Sequence, residues 1–177
     1  MPDGSEQSIA RKDAYELWAA LQAEFDRYHR AVAYIPIGEA RLQDDLRRYL
    51  CLRCAGFLEK LVHQATVHYL ESVAGGPALS FARSFYGHAP NLNPRSFRKL
   101  LERFGEPLPS KFDEFLTPAL RDSLEDLASI RNPIAHGSVT GGRKLDPFRY
   151  QKLCREVYEW LNRELVKPIG THQHVKM

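Results

Sequence analysis

The stretch YLCLRCAGFL, residues 49–58, is the strongest indication of the fold. Apolar side chains occupy all of its positions except Arg53 and Gly56, so they surround a helix instead of forming one stripe. A helix that is apolar all round is usually a central one. The stretch lies within a longer helical pattern from about Glu39 to Val73. We therefore predict a long helix at the centre of a bundle.

Other helical patterns flank this one. Apolar spacings of three and four predict a helix from about Arg11 to Tyr34. Residues 77–109, rich in proline, predict one or two short helices joined by loops. Each of three later helices begins with a capping residue followed by proline. These starts are Asn93-Pro94, with a helix to Phe104, Thr117-Pro118, with a helix ending near Arg131, and Asp146-Pro147, with a helix to about Val166. No strand period stands out, which predicts an all-α bundle of about four main helices plus short ones.

Length and composition limit the class of protein. A chain of 177 residues predicts one domain over 1–177, with 1–10 and 171–177 expected to be flexible. The apolar share of 44% and charged share of 27% argue against a disordered chain. The net charge of +3 is compatible with an anionic partner without requiring one. A polar start, three cysteines and the lack of a long apolar run favour a cytoplasmic protein without a membrane segment.

One segment has no simple packing explanation: RNPIAHG, residues 131–137. A residue before proline is pushed out of the α region, so we expect the preceding helix to end near Arg131. Asn132 could then cap a new turn that begins at Pro133. Such a break would free Arg131 and His136 to point into one site.

These side chains suit the cleavage of RNA. Arginine offers a charged, planar fork for a phosphate, and histidine gives or takes a proton near neutral pH. Asparagine adds a donor and an acceptor. Attack by the ribose 2′-oxygen on the adjacent phosphorus needs a base, charge stabilisation and an acid, and it requires no metal. Two copies of His136 across a dimer axis could share the roles of base and acid.

The segment resembles the signature of the HEPN superfamily (higher eukaryotes and prokaryotes nucleotide-binding domains), in which four to six residues separate an arginine from a histidine. Asn132 after the arginine and Gly137 after the histidine fit that pattern. Residues 46–59, which end in Glu59, resemble the early helix of two HEPN groups, one of them the RiboL-PSP-like group. The similarity covers roughly residues 44–166.

The resemblance implies a four-to-five-helix up-and-down domain that forms a homodimer, with a metal-independent endoribonuclease site in the dimer groove. Arg131 and His136 would be catalytic, Asn132 would support them, and Glu59 would orient one of them. RNA would be the substrate, with no cofactor and no metal. Many such proteins are toxins or defence effectors, which leaves room for a protein antitoxin. Ser138 stands where some HEPN toxins carry a tyrosine that a partner enzyme modifies.

Other interpretations stay open. Arg131 and His136 could be a helix-end arginine and a surface histidine, and Glu59 could pair with Lys60 or His63. The whole chain could be an inactive HEPN module that binds nucleotide, RNA or a protein. A helical neutralising or structural subunit of a larger complex is a third class.

Two sets of basic residues could meet an RNA backbone. They are Arg95, Arg98 and Lys99 on one short helix, and Arg143 and Lys144 after the motif. The alternative for the first set is a solvated face above buried aromatic residues. Cys51 and Cys54 have the spacing of a zinc or redox pair, but without a second pair we interpret them as core residues.

Overall fold

The all-α prediction is confirmed by a computed structural model that describes residues 4–36, 38–86, 92–137 and 145–166. These residues form four long helices, three short helices and no strand. In chain order the helices are α1 (Gly4–Val32), α2 (Ala40–Val73), α3 (Gly76–Ser84), α4 (Pro94–Glu102), α5 (Leu108–Phe115), α6 (Pro118–Ala135) and α7 (Pro147–Glu164).

α2 is the central helix, as the apolar stretch at residues 49–58 predicts. Its 34 residues extend about 51 Å at 1.5 Å per residue. It packs against α1, α6 and α7, and the side chains of Leu50, Cys54, Leu61 and Val62 are at most 1% exposed. The three long helices around α2 therefore share one core.

The predicted capping residues begin their helices. The Asn93 side chain accepts a hydrogen bond from the Ser96 backbone N–H at 2.8 Å, which caps α4. Asp146 accepts from the backbone N–H groups of Phe148 and Arg149 at 3.1 and 3.3 Å, which caps α7. Each cap satisfies donors that the first turn of a helix leaves without partners.

Aromatic side chains fix α4 and α5 on α7. The Phe97 and Phe112 rings lie 4.6 Å apart between centroids, and Phe112 meets the Trp160 ring at 5.6 Å. The sequence does not predict α5 as a separate helix, because prolines at 107 and 109 are typical of a loop. The two short helices belong to the core through these rings.

Among the described helices, none has both the length and the apolar character needed to cross a bilayer.

α1 begins before the predicted start at Arg11 and ends at Val32, ahead of Pro36 and Gly38. The expected flexible tail at 171–177 lies outside the described residues.

Candidate functional site

α6 runs through the Arg131–His136 segment without interruption, so the predicted break at Asn132 is wrong. Because proline has no backbone N–H, Pro133 removes one backbone hydrogen bond, and that bond belongs to the last turn of α6. The next closing bond is intact, since the His136 backbone N–H donates to the Asn132 carbonyl at 3.0 Å. Gly137 follows at φ +69°, a left-handed conformation that ends the helix.

Helical continuity separates the two key side chains. Residues five apart on a helix diverge by about 140° around its axis. Arg131 is half-buried and directed to α2, whereas His136 is exposed at the C-cap. The two side chains therefore start from different sides of α6, and of the two only Arg131 is bound to α2.

Instead, the structure brings Arg131 to Glu59. Arg131 Nη2 donates a hydrogen bond to Glu59 Oε2 at 2.9 Å, which joins α6 to α2. The Glu59 side chain is 13% exposed, whereas that of Arg131 is 38% exposed. No other bond of the Arg131 guanidinium to a described residue is present, so its remaining N–H donors can meet an anion.

The surroundings of this ion pair are apolar. Glu59 and Arg131 share a small pocket whose other lining residues are Ala55, Leu58, Leu92, Leu124, Leu127 and Ala128. Burial among them raises the pKa of the Glu59 carboxyl above its ordinary value, although the charge and hydrogen bond of Arg131 oppose the shift. The pair is thus held where an arginine–carboxylate contact is less screened than at an open surface.

Asn132 and His136 form the open part of the site. Both are exposed, and neither side chain makes a hydrogen bond or ion pair with a described residue. Their polar atoms are available to a ligand or to a second copy of the chain. The chain consequently offers an anchored arginine on one side of α6 and, at the end of this helix, an exposed imidazole that has no side-chain partner among the described residues.

The predicted RNA-contact residues divide into three groups. Arg98 is engaged: its Nε lies 2.9 and 3.1 Å from the two carboxylate oxygens of Asp113, and its guanidinium also pairs with Glu102. Arg95 and Lys99 are exposed and form no ion pair with a described residue. Arg143 and Lys144 lie outside the described residues.

The start of α4 lies beside the Glu59–Arg131 pair, which the sequence did not predict. Leu92, immediately before the cap residue Asn93, lines the same pocket as Arg131. Arg95 follows in the first turn of α4, on the exposed side. No local signal connects residue 92 with residue 131, so only the packing of α4 on α6 reveals this neighbourhood.

A polar network holds α6 against α7. The Tyr150 hydroxyl donates to Asp126 Oδ2 at 2.6 Å, and Arg149 Nε donates to Ser123 Oγ at 2.8 Å. Arg149 also lies 3.5 Å from Asp126 Oδ2, so this arginine is committed to α6. The network fixes the helix that carries Arg131.

The cysteines and histidines of α2 do not group as metal ligands. Cys51 and Cys54 are free and buried, and burial raises the pKa of the Cys51 thiol to about 12. His63 Nε2 lies 2.6 Å from the Tyr86 carbonyl, and His68 lies between Asp13 and Glu71. Within the described part of the chain, no three His, Cys, Asp or Glu residues lie close enough together to hold a metal.

A protein-family model described as RiboL-PSP-HEPN matches residues 21–163. The match spans the second half of α1 from residue 21, the whole of α2 to α6 and nearly all of α7. The chain belongs to the RiboL-PSP-HEPN family. This HEPN assignment confirms the resemblance drawn from residues 46–59 and 131–137, and it is consistent with a nuclease or other RNA-related role. No curated protein and no solved structure matches the chain.

Proposed function

We propose that this HEPN protein is a metal-independent endoribonuclease that acts as a homodimer. The observation that carries the proposal is the Glu59–Arg131 contact. It holds a half-exposed guanidinium, whose other N–H donors bond to no described residue, on the helix that ends in an exposed histidine. An arginine fixed in this way can bind the scissile phosphate and stabilise charge on its oxygens.

Proton transfer is the part assigned to His136. In the proposed reaction, one His136 takes the proton of the ribose 2′-hydroxyl while the 2′-oxygen bonds to the adjacent phosphorus. The bond from phosphorus to the 5′-oxygen breaks, and that oxygen receives a proton from a second histidine. The products are a 2′,3′-cyclic phosphate and a 5′-hydroxyl end.

A dimer supplies what one chain lacks. A single imidazole cannot be both base and acid in the same step, and each chain carries one His136. A second copy placed across an axis near the ends of the two α6 helices would bring two histidines to one phosphate. Asn132, exposed beside them, would position the phosphate or an imidazole.

Arg95 and Lys99 extend the proposed RNA path beyond the scissile phosphate. They lie four positions apart on α4, and therefore on one face, and both are exposed without an ion pair to a described residue. Arg95 follows three residues after Leu92, which lines the pocket that contains Arg131. We assign these two cations to phosphates next to the cleavage point. In the cell, the protein would act as a toxin or defence effector.

The decisive experiment is cleavage of single-stranded and structured RNA in excess EDTA. Arg131→Ala and His136→Ala are compared with the wild-type protein, and Arg121→Ala, an exposed cation at the other end of α6, serves as the control. Cleavage that ends in 2′,3′-cyclic phosphate and is lost only in the first two variants supports the proposal. No cleavage of any RNA by a folded dimer overturns it and favours the inactive binding module.

A further inference from the structure

α3 is a helix without buried side chains. None of its nine residues, Gly76–Ser84, is buried, and its main packing partner is α2. Leu79 and Ala82 are half-buried on one side of α3, and the opposite side faces solvent. A helix of this length is marginal in water, and in proteins the packing of an apolar face supplies most of a helix's stability. The solvent side of α3 is therefore a candidate contact surface.

The solvent side of α3 is apolar. Phe81 is 68% exposed, and Phe85, four positions later and still in a helical conformation, is 61% exposed. Their rings meet edge to face with 5.0 Å between the centroids. Pro77 and Ala78 lie one turn before Phe81 and are exposed as well. We call these four residues the α3 face, and an exposed apolar cluster of this kind is typical of an interaction site.

The α3 face carries no net charge. Arg83 is the only charged residue of α3, and its guanidinium pairs with the carboxylate of Glu71 on α2. A charged face would repel an identical copy of itself, whereas a neutral apolar face can meet its own copy across a two-fold axis. An RNA backbone, by contrast, requires cations that are not neutralised. The chemistry of the α3 face therefore favours a second copy of this chain as the partner.

α3 ends beside the Glu59–Arg131 pair. His63 lies one turn after Glu59 on the same face of α2, and its Nε2 donates to the Tyr86 carbonyl at 2.6 Å. Since Arg131 bonds to Glu59, the end of α3 and the last turns of α6 are neighbours along this face of α2. A copy that covers the α3 face would thus lie next to the region where the proposed reaction needs a second histidine.

We infer that two copies of this chain meet through the α3 face, with Phe81 and Phe85 of each copy packed together across a two-fold axis. The inference rests on the proposed function, which needs a dimer, and assigns the surface that forms it. Four phenylalanine rings would remove on the order of 500 Å² from water. That is a little under half of the roughly 1,200 Å² at which stable interfaces begin, and the ends of the two α6 helices would supply the rest.

The first test removes the rings. Phe81→Ser/Phe85→Ser is compared with the wild-type chain by sedimentation equilibrium and by RNA cleavage. We expect the dimer dissociation constant to rise at least 100-fold, with cleavage reduced at least tenfold at low protein concentration and recovering as the concentration increases. Tyr15→Ser/Tyr34→Ser removes two rings that are 61% and 87% exposed elsewhere, and it should change neither quantity more than twofold.

A cross-link locates the contact directly and keeps both rings. The three native cysteines are all buried, so Ser84→Cys places the only exposed thiol of the chain beside Phe85. We expect a short bismaleimide to convert this variant mainly into covalent dimers at concentrations where the wild-type chain is dimeric. Tyr34→Cys, at an exposed position after α1, should give at least tenfold less cross-linked product.

The outcomes separate the α3 contact from the ribonuclease. An active wild-type dimer whose mass and cleavage are unchanged by Phe81→Ser/Phe85→Ser overturns the inference and leaves the proposed function standing. So does equal cross-linking of Ser84→Cys and Tyr34→Cys, or a ring variant that stays dimeric and loses only RNA affinity. A wild-type dimer that cuts no RNA but separates when the rings are removed supports the α3 contact and defeats the ribonuclease. Circular dichroism checks that the ring variant is folded, and the cross-link decides if it is not.

Discussion

Glu59 and Arg131 are 72 positions apart in the sequence and 2.9 Å apart between Oε2 and Nη2. This contact ties the central helix α2 to α6, the helix that ends at His136. Because Glu59 is 13% exposed and its partner is 38% exposed, the carboxylate is the inner member and the guanidinium the outer one. Glu59 therefore orients the Arg131 guanidinium, which faces solvent.

Removing the Glu59 carboxylate should weaken the proposed catalysis more than it weakens the fold. We expect Glu59→Ala to lower the rate of RNA cleavage by about 10- to 100-fold, since a misplaced catalytic group costs on the order of 100-fold. The loss in unfolding free energy should be about 1 kcal/mol, because Arg131 can turn into water. Single-turnover cleavage and urea unfolding measure the two effects. Glu125→Ala, at an exposed position of α6, is the control. Equal rate losses in both variants would contradict the role of Glu59 in orienting Arg131.

His136 should be needed for cleavage and dispensable for folding. Its side chain is exposed and bonds to no described residue, so His136→Ala removes little packing. We expect cleavage to be abolished while the melting temperature and the dimer mass, measured by calorimetry and sedimentation, stay at the wild-type values. A folded His136→Ala protein that still cuts RNA would defeat the proposed mechanism.

The buried position of Glu59 predicts a pH dependence of stability. Burial, opposed by the charge and hydrogen bond of Arg131, raises the pKa of Glu59 in the folded state above its value in the unfolded state. The folded state then binds more protons between the two pKa values, so this group's contribution is full below the unfolded pKa and is lost as the pH rises through the folded pKa. Relative to wild type, Glu59→Gln should therefore gain unfolding free energy between pH 4 and pH 7. Urea titrations of both proteins across this range check the sign, and a relative loss would refute it.

Arg95 and Arg98 give a matched pair on α4. Arg98 is bound to Asp113 and Glu102, whereas Arg95 has no such partner in the described structure. We expect Arg95→Ala to weaken RNA binding and to reduce the slope of log K against log salt by about 0.7, the value for one phosphate contact on a single strand. Arg98→Ala should leave that slope unchanged. Equal slopes for the two variants, measured by fluorescence anisotropy on His136→Ala backgrounds, would remove Arg95 from the RNA path.

Pro133 tests the continuity of α6. Because the helix already passes through this position, Pro133→Ala should keep the fold and raise the unfolding free energy by up to about 3 kcal/mol, since alanine restores one backbone bond and favours the helix more than proline does. Cleavage should stay within about twofold of wild type if no break is needed to aim Arg131. A loss of cleavage comparable to that of His136→Ala would instead support the interrupted helix that the sequence predicts.

The helical backbone at Asn132 shows why a local sequence rule can fail. The rule that a residue before proline avoids the helical region predicts a break. The tertiary structure overrides it, since Ile130 is 4% exposed in the core on one side and the His136 N–H bonds to Asn132 on the other. In the last turn proline removes only one backbone bond, and that loss is small beside the burial of the apolar side chains of α6.

The amino-acid pattern alone predicts the all-α class, the central position of α2, the capped starts at Asn93, Thr117 and Asp146, and the HEPN family. Each depends on spacing along the chain or on near neighbours, which a sequence contains directly. The packed fold is needed to show that Glu59 pairs with Arg131, that Leu92 brings α4 beside them, and that Trp18 and Lys152 share a groove. These contacts join residues far apart in the chain, and helix packing brings them together through the combined burial of many side chains, which no local pattern encodes.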